Sequence, residues 1–213
     1  MSNHQKRREQ EKQDRRDAIL DAAEVVFCQQ GYHRTSMDDI ARGAMVSRAL
    51  LYVYFTDKAA IQRGIMLRAA ERLRERFREA LDSRKTGLEQ IGAMGQSYYH
   101  FYLEEPNYFA ALTEATTAMQ EAGEDEADTM VCSEQATMHM MVEALENGLK
   151  DGTLSRERVS DPFQTALYLR GALHGVIMMV QQEMGESGPL AEHSGDALIA
   201  HTMAMLTHSL KAD

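Results

Sequence analysis

The chain has 213 residues, 44% of them hydrophobic, enough for one or two small domains with a packed core. No apolar run approaches the roughly 20 residues a membrane-spanning helix needs, and the two cysteines are too few for a disulfide framework or a cysteine-based zinc site. A net charge of −10 argues against nucleic acid until its distribution is read: residues 1–58 carry ten Lys and Arg against nine Asp and Glu, so the acidity belongs to the remainder.

The chain starts with a charged stretch, residues 1–16, that has no apolar segment and so is not a secretory signal; the cytoplasm is the expected location. The stretch is expected to be a flexible tail. Its Lys6, Arg7, Arg8, Lys12, Arg15 and Arg16 either lie along phosphates or simply keep the tail solvated. Next comes a helix ending in AAEVVFCQQGYHRTS, on whose apolar face Cys28 is expected to be a small core residue. Ser36 then caps a short helix, with Asp39 completing a capping box and Met37, Ile40, Ala41 and Ala44 on one face. Ser47 caps the following helix, where Leu50, Leu51 and Tyr54 recur at one-turn spacing. Only Ala44 to Val46 remain for the turn, so the two helices cross steeply with Val46 as the plug between them. Thr56 and Asp57 cap a third helix with Lys58 in its first turn. A phosphate there would meet the lysine and free backbone N–H groups together.

This segment, Asp17 to Lys58, resembles the DNA-binding domain of the TetR family of bacterial transcriptional regulators. The likeness rests on AAEVVFCQQGYHRTS, MDDIARGAMVS and LLYVYFTDK in that order. The resemblance implies that Ser47, Arg48, Ala49 and Leu50 face base edges, and that Thr35, Ser36, Tyr52, Tyr54 and Lys58 contact phosphates of a double-stranded DNA operator. Two positions depart from the family pattern. Met45 stands where glycine is usual, and a positive φ there would cost on the order of 1 kcal/mol. Val53 stands where an aromatic residue or histidine is common.

Beyond the head, residues 57–83 read as one long connecting helix, its arginines at 72, 74, 76 and 78 expected on a solvated face. Gly87 to Glu104 is a second helix, and Pro106 starts a third that runs to about Met119. Glu121 to Asp128 is acidic and lacks a large apolar residue, which predicts a loop or frayed end. Thr129 to Lys150 is helical again. Asp161 and Pro162 form a good helix start for a segment ending before Gly185, and a last helix runs from about Ala191 to Leu210. The expected fold is all-α: a three-helix DNA-binding head and, over residues 59–213, a helical effector-binding and dimerisation domain. In the family the last two helices pair with their copies, so a homodimer is expected through residues 162–183 and 191–210.

The fifteen methionines concentrate in the second domain, where Met suits either core filling or a surface that accepts varied apolar partners. Met94, Tyr98, Phe101, Tyr102, Phe109, Met138, Met141, His174 and Met178 are the expected lining of a cavity for an apolar or aromatic effector. No Walker loop, GxGxxG, GxSxG or HExxH is present, and the His139–Glu143 pair is two ligands short of a metal site. An enzyme is therefore not expected, nor a cofactor. A DNA-binding protein without an effector, and a helical dimerisation protein that no longer reads DNA, remain as alternatives to a ligand-responsive repressor.

Overall fold

A computed structural model describes residues 3–113, 124–182 and 194–212. Nine helices occur among them: α1 (Asn3–Gln30), α2 (Met37–Gly43), α3 (Arg48–Tyr54), α4 (Lys58–Asp82), α5 (Gly87–Glu104), α6 (Pro106–Thr113), α7 (Glu124–Asp151), α8 (Pro162–Gln182) and α9 (Gly195–Leu210). The only β pairing among the described residues is a single bridge between Leu154 and Lys211. No described helix is long and apolar enough to cross a membrane.

The expected caps are present. Ser36 accepts from the Asp39 amide, and the Asp39 carboxylate accepts in return from the Ser36 amide, so both groups of the capping box are closed. Ser47 accepts from Leu50 N at 3.1 Å, and Asp57 accepts from Ala60 N at 2.7 Å. Gly31, at φ +78°, ends α1 in the left-handed conformation that glycine adopts without a Cβ clash.

Four expectations change. Residues 3–16 form the first half of α1 and not a separate irregular tail. Pairs four residues apart, Arg7 with Glu11, Gln10 with Asp14 and Gln13 with Asp17, support a helix that buries nothing at that end. Cys28 is exposed, not core. It lies two positions past the buried Val26, about 200° round the helix. Arg74 and Arg76 do not lie on a solvated face but are half-buried. Arg74 donates to the Ser133 hydroxyl at 2.8 Å, while Arg76 donates to Glu104 and Glu105 and covers the Phe101 ring. The helix placed at Thr129 begins at Glu124, so the acidic stretch contributes its first turn; residues 121–123 lie outside those described. Met119, Gly185, Gly188, Pro189 and Ala191 also lie outside the described residues.

The chain divides into two units, the first made of Met1–Ala69 and Pro106–Val131, the second of Ala70–Glu105 and Cys132–Asp213. The first takes in more chain than residues 17–58. Its core gathers Ile19, Leu20 and Ala23 of α1, Ile40 and Ala41 of α2, Leu51 of α3, Ile61 and Ile65 of α4, and Ala111 of α6. Val46 packs against this core, in the plug position expected for it. The second unit buries Leu73 and Phe77 of α4, Met94 and Phe101 of α5, Leu145 of α7, Leu173 and Ile177 of α8, and Ile199 of α9.

Candidate nucleic-acid interface and cavity

In the first unit, α2 and α3 form a helix-turn-helix. Ala44 N bonds Ile40 O at 2.9 Å and Val46 N bonds Ala41 O at 3.0 Å, which closes the end of α2. The turn residue Met45 has φ +53°, the left-handed conformation, and is 91% exposed. The glycine-type geometry is therefore kept with a residue that pays for it. Met45→Gly is expected to raise the stability of this unit by about 1 kcal/mol, read as a shift in its denaturation midpoint.

Leu51 is buried and faces the core, and Leu50 and Tyr54 are half-buried beside it. The opposite face of α3 presents Arg48, Ala49, Tyr52 and Val53, with Ser47 exposed at the cap. Val53, 72% exposed, was not among the expected contacts. Arg48 donates to Asp38 Oδ2 at 3.1 Å, and its guanidinium lies 5.7 Å from the Tyr52 ring centroid. The Tyr52 hydroxyl and Asp38 both hold the Arg48 guanidinium above its ordinary pKa, so its charge is fixed.

Thr35 and Lys58 were expected to present polar atoms to phosphates, and both point inward. Thr35 is buried and its hydroxyl donates to Gly31 O at 2.9 Å. Lys58 Nζ donates to Tyr32 O at 2.7 Å and Thr35 O at 2.9 Å, 4.4 Å from the Tyr32 ring centroid. The ammonium thus ties the start of α4 to the segment between α1 and α2. Ser36 remains exposed at its cap.

In the second unit a cavity of about 80 Å³ lies among five helices. Its wall is formed by Leu73 and Phe77 of α4, Ile91, Met94 and Tyr98 of α5, Thr137 and Met141 of α7, Leu169, Arg170 and Leu173 of α8, and Met203, Leu206 and Thr207 of α9. Of the expected lining, Met94, Tyr98 and Met141 are brought together here. His174 stands behind Tyr98, its Nδ1 2.9 Å from the phenol oxygen. Burial pushes the Tyr98 phenol up to about 12, against an opposing pull from Arg170. Burial, and then the Arg170 charge, push His174 below its ordinary value. Both groups are uncharged at neutral pH.

The other expected lining residues are not on the cavity wall. Phe101 is fully buried under Arg76, and Tyr102 stacks on Tyr99 at 6.2 Å between centroids. Met138 is buried, Met178 is half-buried, and Phe109 belongs to the first unit. The wall residues missed include two one-turn pairs, Leu73 with Phe77 and Leu169 with Leu173. In sequence these read as ordinary core stripes.

Residues 19–63 match the family model of bacterial regulatory proteins of the tetR family, and residues 91–206 match that of the tetracyclin repressor-like C-terminal domain. The HTH-type transcriptional activator FasR of Mycolicibacterium smegmatis is 29% identical over 124 residues, covering 51% of this chain and 57% of FasR. The HTH-type transcriptional regulator UidR of Escherichia coli is 38% identical over 72 residues, covering 34% of this chain and 37% of UidR. The chain therefore spans well under two thirds of either curated relative in these matches. Among solved structures, the fatty acid degradation regulator FadR of Bacillus halodurans superposes with a TM-score of 0.70 at 19% identity, over 90% of this chain and 94% of that one. At that identity the likeness concerns the fold alone.

Proposed function

We propose, from the premise that the chain belongs to the TetR family of bacterial regulatory proteins, that it is a ligand-responsive repressor binding a palindromic operator as a dimer. Members of this family are DNA-binding transcriptional regulators and not enzymes. The observation that carries the reading is the outer face of α3, where Arg48, Ala49, Tyr52 and Val53 stand exposed beside a cap and turn that hold the helix at a fixed angle. Such a face suits a major groove, where arginine pairs with guanine and small apolar groups meet thymine methyls.

Pairing of two chains is supported by α8 and α9. Phe163, Leu167, Tyr168 and Met179 of α8 and Met205 of α9 are large apolar residues left exposed on one protomer. Two heads related by two-fold symmetry then address successive major grooves, roughly 34 Å apart or a multiple of that.

The cavity supports a small, largely apolar effector. At about 80 Å³ it is smaller than the roughly 300–1,000 Å³ of ordinary ligand sites. An effector of that class binds a widened form better than this one. That difference in affinity is what a ligand needs to shift the protein between states. α4 is one unbroken helix from its Asp57 cap to the cavity residues Leu73 and Phe77, so it is the covalent route between the head and the effector site.

The test is Arg48→Ala. It is expected to weaken binding to the preferred duplex roughly tenfold to a hundredfold while leaving random DNA nearly unaffected, and to relax the preference at one base pair per half-site. An unchanged preference would remove α3 from the interface. A reporter carrying the selected operator gives the sign of regulation, since FasR is named an activator.

A further inference from the structure

We propose that Asp38 is a specificity-determining residue of the head, holding the Arg48 guanidinium off the phosphate backbone and aimed at base edges. The inference rests on the DNA-binding reading above. Asp38 sits in the first turn of α2 and Arg48 at the start of α3, ten residues on, so their 3.1 Å contact bridges the two arms of the helix-turn-helix. Both side chains are more than half exposed. The guanidinium also lies over the Tyr52 ring one turn along α3, which restricts its plane.

Stability does not explain this pair. Exposed ion pairs contribute little to folding, and the first turn of α2 is already capped by Ser36 and Asp39. What the pair does is electrostatic and orientational. An unrestrained arginine on a DNA-facing surface finds a phosphate, and a phosphate contact carries no sequence information. A carboxylate beside it repels phosphates and accepts one of the five guanidinium N–H groups, leaving donors for a guanine edge. Arg48 held by Asp38 and Tyr52 also has less side-chain freedom to lose on binding. Asp38 therefore lowers affinity for DNA in general and keeps it for the right base.

The experiment compares wild type, Asp38→Asn, Arg48→Ala and the double variant on the duplex that wild type selects and on random DNA, across a salt series. Asp38→Asn is expected to raise affinity for random DNA about tenfold and to change affinity for the selected duplex much less. The specificity ratio then falls about tenfold, and the salt slope on random DNA steepens by about one per head. In the Arg48→Ala background the same change should leave the ratio where it was. Overlaid melting curves show that the head is folded in every variant. A ratio and slope unmoved by Asp38→Asn would overturn the proposal, as would an equal loss on both duplexes. An effect that persists without Arg48 would overturn it too, by making Asp38 a bare charge. If wild type selects no sequence, both readings fall; a wild-type preference that survives Asp38→Asn removes only the role of Asp38.

Discussion

Gly87→Ala is expected to destabilise the second unit by about 3 kcal/mol, because the added methyl meets backbone and not the movable end of a side chain. A Cβ at Gly87 would lie 2.0 Å from Gly148 N and 2.5 Å from Ala144 O. The start of α5 and the end of α7 are in backbone contact there. The contact is reinforced by Asp151 accepting from the Gly87 amide at 2.8 Å. A methyl cannot enter without moving one helix off the other. Gly92 lies five residues along the same helix, and a Cβ there would meet nothing within 4 Å. Gly92→Ala should therefore raise stability by up to about 1 kcal/mol through helix propensity alone. Chemical denaturation of the two variants checks the pair. A Gly87→Ala variant as stable as Gly92→Ala would mean that α5 and α7 do not meet at Gly87.

Arg68→Ala is the second large effect, expected to cost the first unit about 2 kcal/mol at neutral pH. Arg68 of α4 donates to Asp17 and Asp21 of α1, each at 2.7 Å, and reaches Glu24 at 3.5 Å. Removing it leaves three carboxylates together, a change that costs about 3–5 kcal/mol when fully buried; solvent exposure of Asp21 and Asp17 brings this site below that range. The pH dependence has a definite sign. Burial raises Asp17, but hydrogen bonds from Arg68 and Gln13 and the charges of Arg68 and Arg16 together outweigh it and hold the group below its ordinary 3.8. Its contribution is present at neutral pH and is lost as the pH falls through the lowered value. Burial raises Glu24 above its ordinary 4.5, against the pull of Arg68 and a hydrogen bond from Tyr108, so ionised Glu24 opposes folding above that value. Without Arg68 the favourable contribution of Asp17 shrinks and the unfavourable one of Glu24 grows. The difference between wild type and Arg68→Ala should therefore be full at pH 7 and shrink on acidification through the carboxylate range. Melting curves at several pH values check it, and a pH-independent difference would assign Arg68 to packing alone.

What was legible in the sequence was local. The caps at Ser36, Ser47 and Asp57 depend on residues within three positions, and all three form. The strain at Met45 was implied by the family resemblance, which has glycine at that position, and is realised at φ +53°. The inward turn of Lys58 was not legible, because its partners are the carbonyls of Tyr32 and Thr35, some two dozen residues earlier. No sequence signal singles out Asp38, and only the crossing of α2 and α3 puts it against Arg48. The cavity shows the same limit. Met94, Tyr98 and Met141 stood out by residue type, whereas Leu73, Leu169 and Met203 become wall residues only once five helices are assembled. Phe109 shares the aromatic character of the expected lining and is carried into the other unit by α6.

A dimer that reads a specific duplex through α3 is the core of the proposed function. The most direct measurement is selection of bound duplexes from a random library by the purified protein, followed by sequencing. An enriched inverted repeat, with half-sites spaced for successive major grooves and retained at physiological salt, is the result expected. Binding that enriches no sequence and disappears as salt is raised would contradict it, since phosphate contact alone behaves that way.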